Sequence, residues 1–205
     1  MSGRFPVIML VCSAGGLEAL GAVLGRLPEN LPAAVVALQH LEPDRASQLP
    51  MLLDRYTALT VAPATDGDAL TPGRVLIAPP GQHTLIAVDA SIALIPSGSL
   101  PPYRPSADLL LTTAAIALTT RLIAVVLTGR GNDGATGATA VHRFGGTVIV
   151  SSLDSSTQQA MPEATIGRDH VAGHVVPLSD VPILLQELVT APLITPARKP
   201  TTDDD

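Results

Sequence analysis

The stretch that most constrains the fold is Val7–Gly16, which reads VIMLVCSAGG and begins with five apolar residues in a row. Such a run is typical of a strand that is buried on both faces, as in a parallel sheet. The run ends in a serine and two glycines, and Leu17–Leu27 then predicts a helix. A serine on a strand-to-helix turn lies at the edge of the sheet where open α/β folds bind ligands. We therefore interpret Ser13 as a candidate nucleophile.

The rest of the chain alternates strand-like apolar runs with helix-like segments. This alternation predicts an α/β fold with a doubly wound, mostly parallel sheet, helices on both faces and a small antiparallel hairpin insertion at residues 84–95. A helix is predicted from a cap at Asp44 to about Arg55. We expect one domain over residues 1–190 and a disordered acidic tail over residues 191–205, which end in three aspartates.

Composition excludes several kinds of partner. The formal net charge is -6 and no cluster of Lys and Arg is present, so the sequence lacks the basic surface that nucleic-acid binding requires. A single cysteine, Cys12, cannot form an internal disulfide and is compatible with a reducing compartment. The first residues, MSGRFP, do not begin a secretory signal. We therefore expect a cytoplasmic protein that binds no nucleic acid.

One segment has the length and hydropathy of a membrane span. Leu109–Leu127 is apolar and carries a single charged residue, Arg121. A charge well inside a bilayer is costly, and the polar break at residues 119–121 separates a helical half from a β-rich half. We predict a buried helix followed by a central strand, with no membrane insertion.

Three polar residues follow three separate buried strands: Ser13, His40 and Asp133. In a parallel sheet these strand ends share one edge, so we expect the three side chains to lie close together. A neutral imidazole takes the proton of a serine hydroxyl near neutral pH, and a carboxylate then orients and stabilises the imidazolium. The sequence therefore predicts a catalytic triad of nucleophile, base and orienting carboxylate. Its order along the chain differs from the orders of chymotrypsin, subtilisin and the α/β-hydrolases.

A glycine-rich turn, Gly129–Gly131, follows the same buried strand that precedes Asp133 and can supply the backbone amides that stabilise an oxyanion. The amide of Arg130 is the first choice, with those of Gly129 and Gly131 beside it. We expect no metal and no cofactor. His170 and His174 lack the glutamate of a zincin motif, and no glycine-rich nucleotide-binding motif is present.

Each member of the predicted triad also has a structural interpretation. Ser13 alone could cap the first helix, and His40 alone could be a structural histidine. Asp133 lies in an Asn-Asp-Gly sequence that is ordinary for a turn and a helix start.

Other residues near the predicted site have expected roles outside the triad. Ser106 is expected to cap the helix that follows it. We expect Asp108 and Arg104 to hold their loop together, with contact to substrate as the alternative. For His83, which follows a strand end, the structural and functional interpretations both stay open. Cys12 is expected to be a small buried residue.

Motifs spread over nearly the whole chain, residues 6 to 189, carry a family resemblance. They are Ser13-Ala14-Gly15-Gly16, Gln39-His40, Ala78-Pro79 with His83, Arg104-Pro105-Ser106 with Asp108, Leu127-Thr128-Gly129, Gly131-Asn132-Asp133-Gly134 and Met161-Pro162. With these motifs in this order, the chain resembles the catalytic domain of the chemotaxis protein-glutamate methylesterases (CheB type).

The resemblance implies a function for the predicted triad. It implies hydrolysis of glutamate γ-methyl esters on the helices of a methyl-accepting chemoreceptor, with release of methanol, and a related deamidation of glutamine. It also implies that Ser13 is the nucleophile, His40 the base and Asp133 the orienting carboxylate. Two other functions stay open: a catalytically idle binding module of the same fold, and an esterase for an unrelated small ester.

The sequence departs from the family pattern at two positions and in its length. Ala14 stands where the family often has Thr, and Arg130 stands where it usually has Met. Because the first strand begins by residue 7, we expect no receiver domain in front of the catalytic domain. Regulation, if present, would then come from a separate protein in trans.

Overall fold

The computed structural model describes residues 5–98, 103–168 and 170–191. The predicted acidic tail from residue 192 on, and part of the loop before Pro105, lie outside the described residues. Within these ranges the chain folds around one central parallel sheet.

Seven of the nine strands in the described ranges form the central sheet. The strands are β1 Val7–Cys12, β2 Ala34–Gln39, β3 Thr60–Pro63, β4 Arg74–Ile77, β5 Gln82–Ile86, β6 Ile92–Pro96, β7 Leu122–Val126, β8 Thr147–Ser151 and β9 His174–Val176. The order across the sheet is β3-β4-β2-β1-β7-β8-β9, with parallel pairings throughout. Strands β5 and β6 pair with each other as an antiparallel hairpin. The predicted fold class is therefore confirmed.

Helices cover both faces of the sheet. In the described ranges they are α1 Gly16–Leu24, α2 Leu49–Asp54, α3 Ala107–Leu118, α4 Ala135–Arg143, α5 Ala160–Ile166 and α6 Val181–Thr190. Helices α1, α2 and α6 pack on one face, together with Ile8 and Leu10 of β1. Helices α3, α4 and α5 pack on the other face, together with Val7, Met9 and Val11. Because successive residues of a strand point to opposite faces, a wholly apolar β1 supplies both cores.

Strand β1 lies in the middle of the sheet, between β2 and β7. All of its residues are buried, which explains its unbroken apolar sequence. Backbone hydrogen bonding continues just past the strand ends. The amide of His40 donates to the carbonyl of Cys12 at 3.1 Å, and the amide of Ser13 donates to the carbonyl of Thr128 at 2.8 Å. The turns that follow β1, β2 and β7 are therefore held side by side at one edge of the sheet.

The predicted helix from Asp44 to Arg55 is wrong in its first half. Residues 40–48 form a loop, and α2 begins at Leu49, whose amide donates to Ser47 Oγ at 3.1 Å. Pro50 explains the late start, because a proline inside a helix removes a backbone hydrogen bond and clashes with the preceding turn. In the first turn of a helix the missing amide hydrogen has no such cost.

The apolar segment 109–127 is divided as predicted. Helix α3 ends at Leu118, a short 3₁₀ turn spans Thr119–Arg121, and β7 begins at Leu122. No helix in the described part of the chain is long and apolar enough to cross a bilayer.

Helices α3 and α4 approach each other closely at a glycine. A Cβ placed on Gly137 would lie 2.6 Å from the Cβ of Leu111 and 3.1 Å from the backbone of Asp108. We expect Gly137→Ala to lower the free energy of unfolding by about 1–3 kcal/mol, because the added methyl group forces two packed helices apart. Urea denaturation of the variant and the wild type measures this difference.

Gly173→Ala is the matched control for this prediction. A Cβ on Gly173 would lie 3.4 Å from the carbonyl oxygen of Val148, which is ordinary contact. Equal destabilisation in the two variants would contradict the packing argument.

Candidate active site

Ser13 lies on the turn between β1 and α1 and is partly exposed. Its carbonyl accepts a hydrogen bond from the amide of Gly16 at 3.0 Å, which closes the turn. The N-cap of α1 is Gly15, without a side-chain cap, so the interpretation of Ser13 as a helix cap is wrong. Among the described residues the Ser13 hydroxyl has no hydrogen-bond partner. It is therefore available for chemistry at the edge of the sheet.

His40 and Asp133 form a hydrogen-bonded pair. His40 Nε2 lies 2.9 Å from Asp133 Oδ2, and the two side chains are 11% and 3% exposed. Because an ionised carboxylate only accepts hydrogen bonds, the ring proton of this pair is on Nε2. The other ring nitrogen, Nδ1, has no hydrogen-bond partner within the described residues. It is the nitrogen left to accept a proton.

No hydrogen bond joins His40 to the hydroxyl of Ser13 in the part of the chain that the structure describes. The two residues are neighbours through the backbone, since the amide of His40 donates to Cys12, directly before Ser13. Catalytic hydrogen bonds are often long before substrate binds and tighten in the complex. Two members of the predicted triad are thus in contact, and the third lies on the adjoining turn.

The carboxylate of Asp133 lies at the N-terminus of α3. Oδ2 accepts from the amide of Ala107 at 2.6 Å, and Oδ1 accepts from the amide of Asp108 and from Ser106 Oγ, each at 3.0 Å. The unpaired amides and the dipole of a helix start both favour a negative charge. Burial by itself would raise the pKa of Asp133, but the hydrogen bonds from His40 and the α3 amides outweigh it and hold the pKa below its ordinary 3.8. The carboxylate is therefore ionised near neutral pH.

Ser106 and His83 extend this hydrogen-bond network. Ser106 is the N-cap of α3, as predicted, and its Oγ also accepts from the amide of Leu109 at 3.3 Å. The amide of Ser106 donates to His83 Nδ1 at 3.0 Å, so this nitrogen carries no proton. Burial lowers the pKa of His83, although the charge of Asp133 opposes this. His83 therefore supports the backbone of a residue that binds Asp133, which favours its structural interpretation.

The amide of Gly129 is not available to an oxyanion. It donates to the carbonyl of Gln158 at 3.0 Å. The prediction of Gly129 as an oxyanion donor is therefore wrong. A Cβ on Gly129 would lie 2.7 Å from the Cβ of Ser13 and would collide with Met161 Sδ. A glycine is needed at this position because no side chain fits between its turn and that of Ser13.

The amides of Arg130 and Gly131 make no hydrogen bonds within the described residues. The same holds for the amide of Ala14, directly after Ser13. Sequence reasoning missed Ala14, although the amide after the nucleophile is an oxyanion donor in α/β-hydrolases. The side chain of Arg130 is exposed, with Nε 3.4 Å from Gln158 Oε1. Three backbone amides on two adjoining turns are thus candidate oxyanion donors.

Tyr103 is a residue of the site that the sequence does not mark. Its ring stacks on the ring of His40, with the centroids 5.2 Å apart and 26° between the planes. A Cβ on Gly131 would collide with the Tyr103 hydroxyl, so the tyrosine lies between His40 and the glycine-rich turn. Only the tertiary structure brings this isolated loop residue to the site.

Cys12, next to Ser13, is not a second nucleophile. It is buried, its Sγ lies 3.5 Å from the carbonyl oxygen of Leu38, and burial strongly raises the pKa of the thiol. A thiol in this state packs and does not react, as predicted. No group of three or more His, Cys, Asp or Glu side chains in the described ranges could hold a metal ion.

Comparison with known proteins identifies the relatives of this arrangement. The sequence matches the family described as CheB methylesterase over residues 8–185. It is 38% identical over 198 residues to a protein-glutamate methylesterase/protein-glutamine glutaminase of Moorella thermoacetica, covering 93% of this chain and 46% of that protein. It is 37% identical over 192 residues to a protein of the same name from Thermotoga maritima, covering 92% of this chain and 55% of that protein. The chain thus spans about half the length of these relatives.

A solved structure has the same fold. The crystal structure of the Thermotoga maritima CheB methylesterase catalytic domain superimposes with a TM-score of 0.84 at 36% sequence identity. The superposition covers 92% of this chain and 100% of that chain. The region shared with the relatives is therefore their catalytic domain.

The pKa of Asp133 predicts a pH-dependent stability. Because the folded state lowers this pKa, the ionised carboxylate stabilises the fold above the ordinary value of 3.8, and this contribution is lost as the pH falls through the lowered value. We expect Asp133→Asn to lower the free energy of unfolding near neutral pH by about 1–3 kcal/mol. The difference from the wild type should shrink at about pH 3. Urea denaturation at both pH values measures it, and a difference that does not change with pH would contradict this account.

Proposed function

This chain belongs to the CheB methylesterase family, and from that premise we propose that it is a serine hydrolase that converts protein glutamate γ-methyl esters to glutamate and methanol. One observation carries the proposal. His40 Nε2 and Asp133 Oδ2, 2.9 Å apart, lie at the same sheet edge as the hydroxyl of Ser13, which has no hydrogen-bond partner among the described residues. A hydroxyl, an oriented imidazole and free backbone amides are the parts that ester hydrolysis by a serine enzyme requires.

The first half of the proposed reaction forms an acyl-enzyme. His40 Nδ1 takes the proton of Ser13 as Oγ attacks the ester carbonyl. The Nε2–H group of His40 keeps its hydrogen bond to Asp133. The amides of Arg130 and Ala14 donate to the oxyanion that develops. The protonated ring then gives its proton to the methoxy group, which leaves as methanol.

The second half releases the product. A water molecule loses its proton to His40 Nδ1 and attacks the acyl carbon, and the same amides stabilise the second oxyanion. Collapse returns the proton to Ser13 and frees glutamate. With a glutamine side chain the leaving group is ammonia and the remaining steps are the same. No step in this route needs a cofactor.

The proposed substrate is a methylated glutamate on the helical cytoplasmic part of a methyl-accepting chemoreceptor. The relatives named protein-glutamate methylesterase support this substrate class. The proposal includes a cytoplasmic location and allows a separate regulatory protein to act in trans.

We expect Ser13→Ala to reduce methanol release from methylated chemoreceptor fragments by about 1,000-fold or more, because the nucleophile is lost. The fold should persist, since the Ser13 side chain has no partner among the described residues. Methanol is measured over time, with circular dichroism as the folding check. Ser179→Ala is the matched control, because its exposed residue has a hydroxyl whose one hydrogen bond within the described ranges is to Asp180.

Other outcomes of this experiment assign other functions. Full activity in Ser13→Ala would overturn the mechanism. If the folded wild type releases no methanol but a phosphonate ester labels Ser13, the substrate is a different ester. If neither release nor labelling occurs, the protein is an idle binding module of this fold.

We expect Asp133→Asn to lower kcat by about 100- to 10,000-fold, because the ring of His40 loses the carboxylate that fixes its orientation. KM should change far less than kcat, since Asp133 lies behind the imidazole. Steady-state kinetics with the methylated fragment measures both constants. Asp154→Asn is the control, because this exposed carboxylate accepts hydrogen bonds only from Ser152 and from the backbone of its own turn among the described residues. A folded Asp133→Asn protein with the kcat of the wild type would exclude Asp133 from the triad.

A further inference from the structure

Two aspartates each accept hydrogen bonds from the first amides of the helix that the other belongs to or precedes. Asp133, just before α4, accepts hydrogen bonds from the first amides of α3. Asp108, in the first turn of α3, accepts from the first amides of α4: its Oδ1 lies 2.8 Å from the amide nitrogen of Gly134 and 2.7 Å from that of Gly137. Helix α3 is therefore capped by a carboxylate from the segment before α4, and α4 is capped by a carboxylate from α3.

Helix α4 depends on this exchange because it has no cap of its own. Its N-cap residue is Gly134, which has φ +105° and no side chain to accept a hydrogen bond. The first amides of a helix have no partner within the helix and must be satisfied from outside. In the described structure Asp108 supplies that acceptor.

Asp108 also holds Asp133 at two points. The amide of Asp108 donates to Asp133 Oδ1 at 3.0 Å. The amide of Gly134, which belongs to the peptide group that follows Asp133, donates to Asp108 Oδ1. The contacts close a ring that fixes both the backbone and the carboxylate of Asp133.

Capping of α4 by Asp108 does not require a negative charge on the Asp108 side chain. Burial raises the pKa of Asp108; the amide of Gly137 opposes this effect, and the nearby charge of Asp133 adds to it. What α4 needs is an acceptor oxygen, and an asparagine side chain also provides one. This separates the capping role from a role of the negative charge in binding substrate.

We propose that Asp108 is a positioning residue that, through its hydrogen bonds to the start of α4, holds Asp133 in the orientation that aligns the ring of His40. The inference rests on the proposed function for its catalytic consequence only. The sequence left two interpretations of Asp108 open, holding its loop together and contact with substrate. The inference favours a structural role over substrate contact. The acceptor oxygen is already occupied by two backbone amides.

The test compares Asp108→Ala with Asp108→Asn in the whole protein. We expect Asp108→Ala to lower kcat by about 10- to 100-fold, because a small displacement of a catalytic group has effects of this size. KM should stay within about twofold, since Asp108 does not touch substrate. Asp108→Asn should keep most of the wild-type kcat. Ser47→Ala, which removes the hydroxyl that accepts from the amide of Leu49 at the start of α2, is the control for a general loss at a helix start.

A second readout does not depend on activity. We expect the Nε2 proton of His40, which lies in the hydrogen bond to Asp133, to give a downfield proton NMR resonance in the wild type. This resonance should be lost or broadened in Asp108→Ala and retained in Asp108→Asn and Ser47→Ala. Asp108→Ser takes the place of Asp108→Ala if the alanine variant does not fold, because serine suits a first helical turn but is too short to reach both amides.

The outcomes separate this inference from the proposed function. Wild-type kcat and an unchanged His40 resonance in Asp108→Ala would overturn the inference. Equal loss of kcat in the Ala and Asn variants with the resonance intact would also overturn it, since the charge would then be acting on substrate. If the wild type shows no Ser13-dependent hydrolysis, the proposed function fails, and the resonance alone decides whether Asp108 positions the pair.

Discussion

The interaction on which the rest of the site depends is the buried carboxylate of Asp133. A buried charge is costly unless hydrogen bonds satisfy it. Here the donors are the ring of His40, the hydroxyl of Ser106 and two amides of α3. They come from separate elements, with His40 lying 93 residues before Asp133. One anion therefore joins the end of β2 to α3 and to the turn after β7. Removing it would leave all of these donors without an acceptor.

The parallel sheet provides the edge at which these groups meet. Strand β1 is buried on both faces, and backbone hydrogen bonds tie the turns after it to Thr128 and His40. Close packing of the turns explains why Gly129 carries no side chain next to Ser13. Among the described residues the Ser13 hydroxyl has no hydrogen-bond partner, while the backbone of Ser13 is hydrogen-bonded to Thr128 and to Gly16. A turn held by backbone hydrogen bonds and carrying an unpaired hydroxyl is the arrangement that a nucleophile requires.

The two departures from the family pattern differ in kind from changes to the triad. Ala14 and Arg130 are interpreted through their backbone amides, and an amide donates whatever side chain its residue carries. A change of side chain at these positions leaves the donors in place. The exposed guanidinium of Arg130, near Gln158, instead alters the charge at the surface beside Ser13. Asp108 and Asp133 differ, because each bonds another segment through a side-chain oxygen, which a residue without that oxygen cannot replace.

The sequence by itself determined the order of strands and helices, the sheet edge that carries Ser13, His40 and Asp133, and the capping role of Ser106, because each follows from local hydrophobic pattern and residue type. It failed at Asp44, where the restriction imposed by Pro50 outweighs a good capping residue. Only the tertiary structure decided which nitrogen of His40 faces Asp133 and that Tyr103 stacks on that ring. It also decided that the amide of Gly129 is hydrogen-bonded, and that Asp108 and Asp133 each cap the helix of the other. These depend on contacts between segments far apart in the chain, whose distance and direction no local pattern encodes.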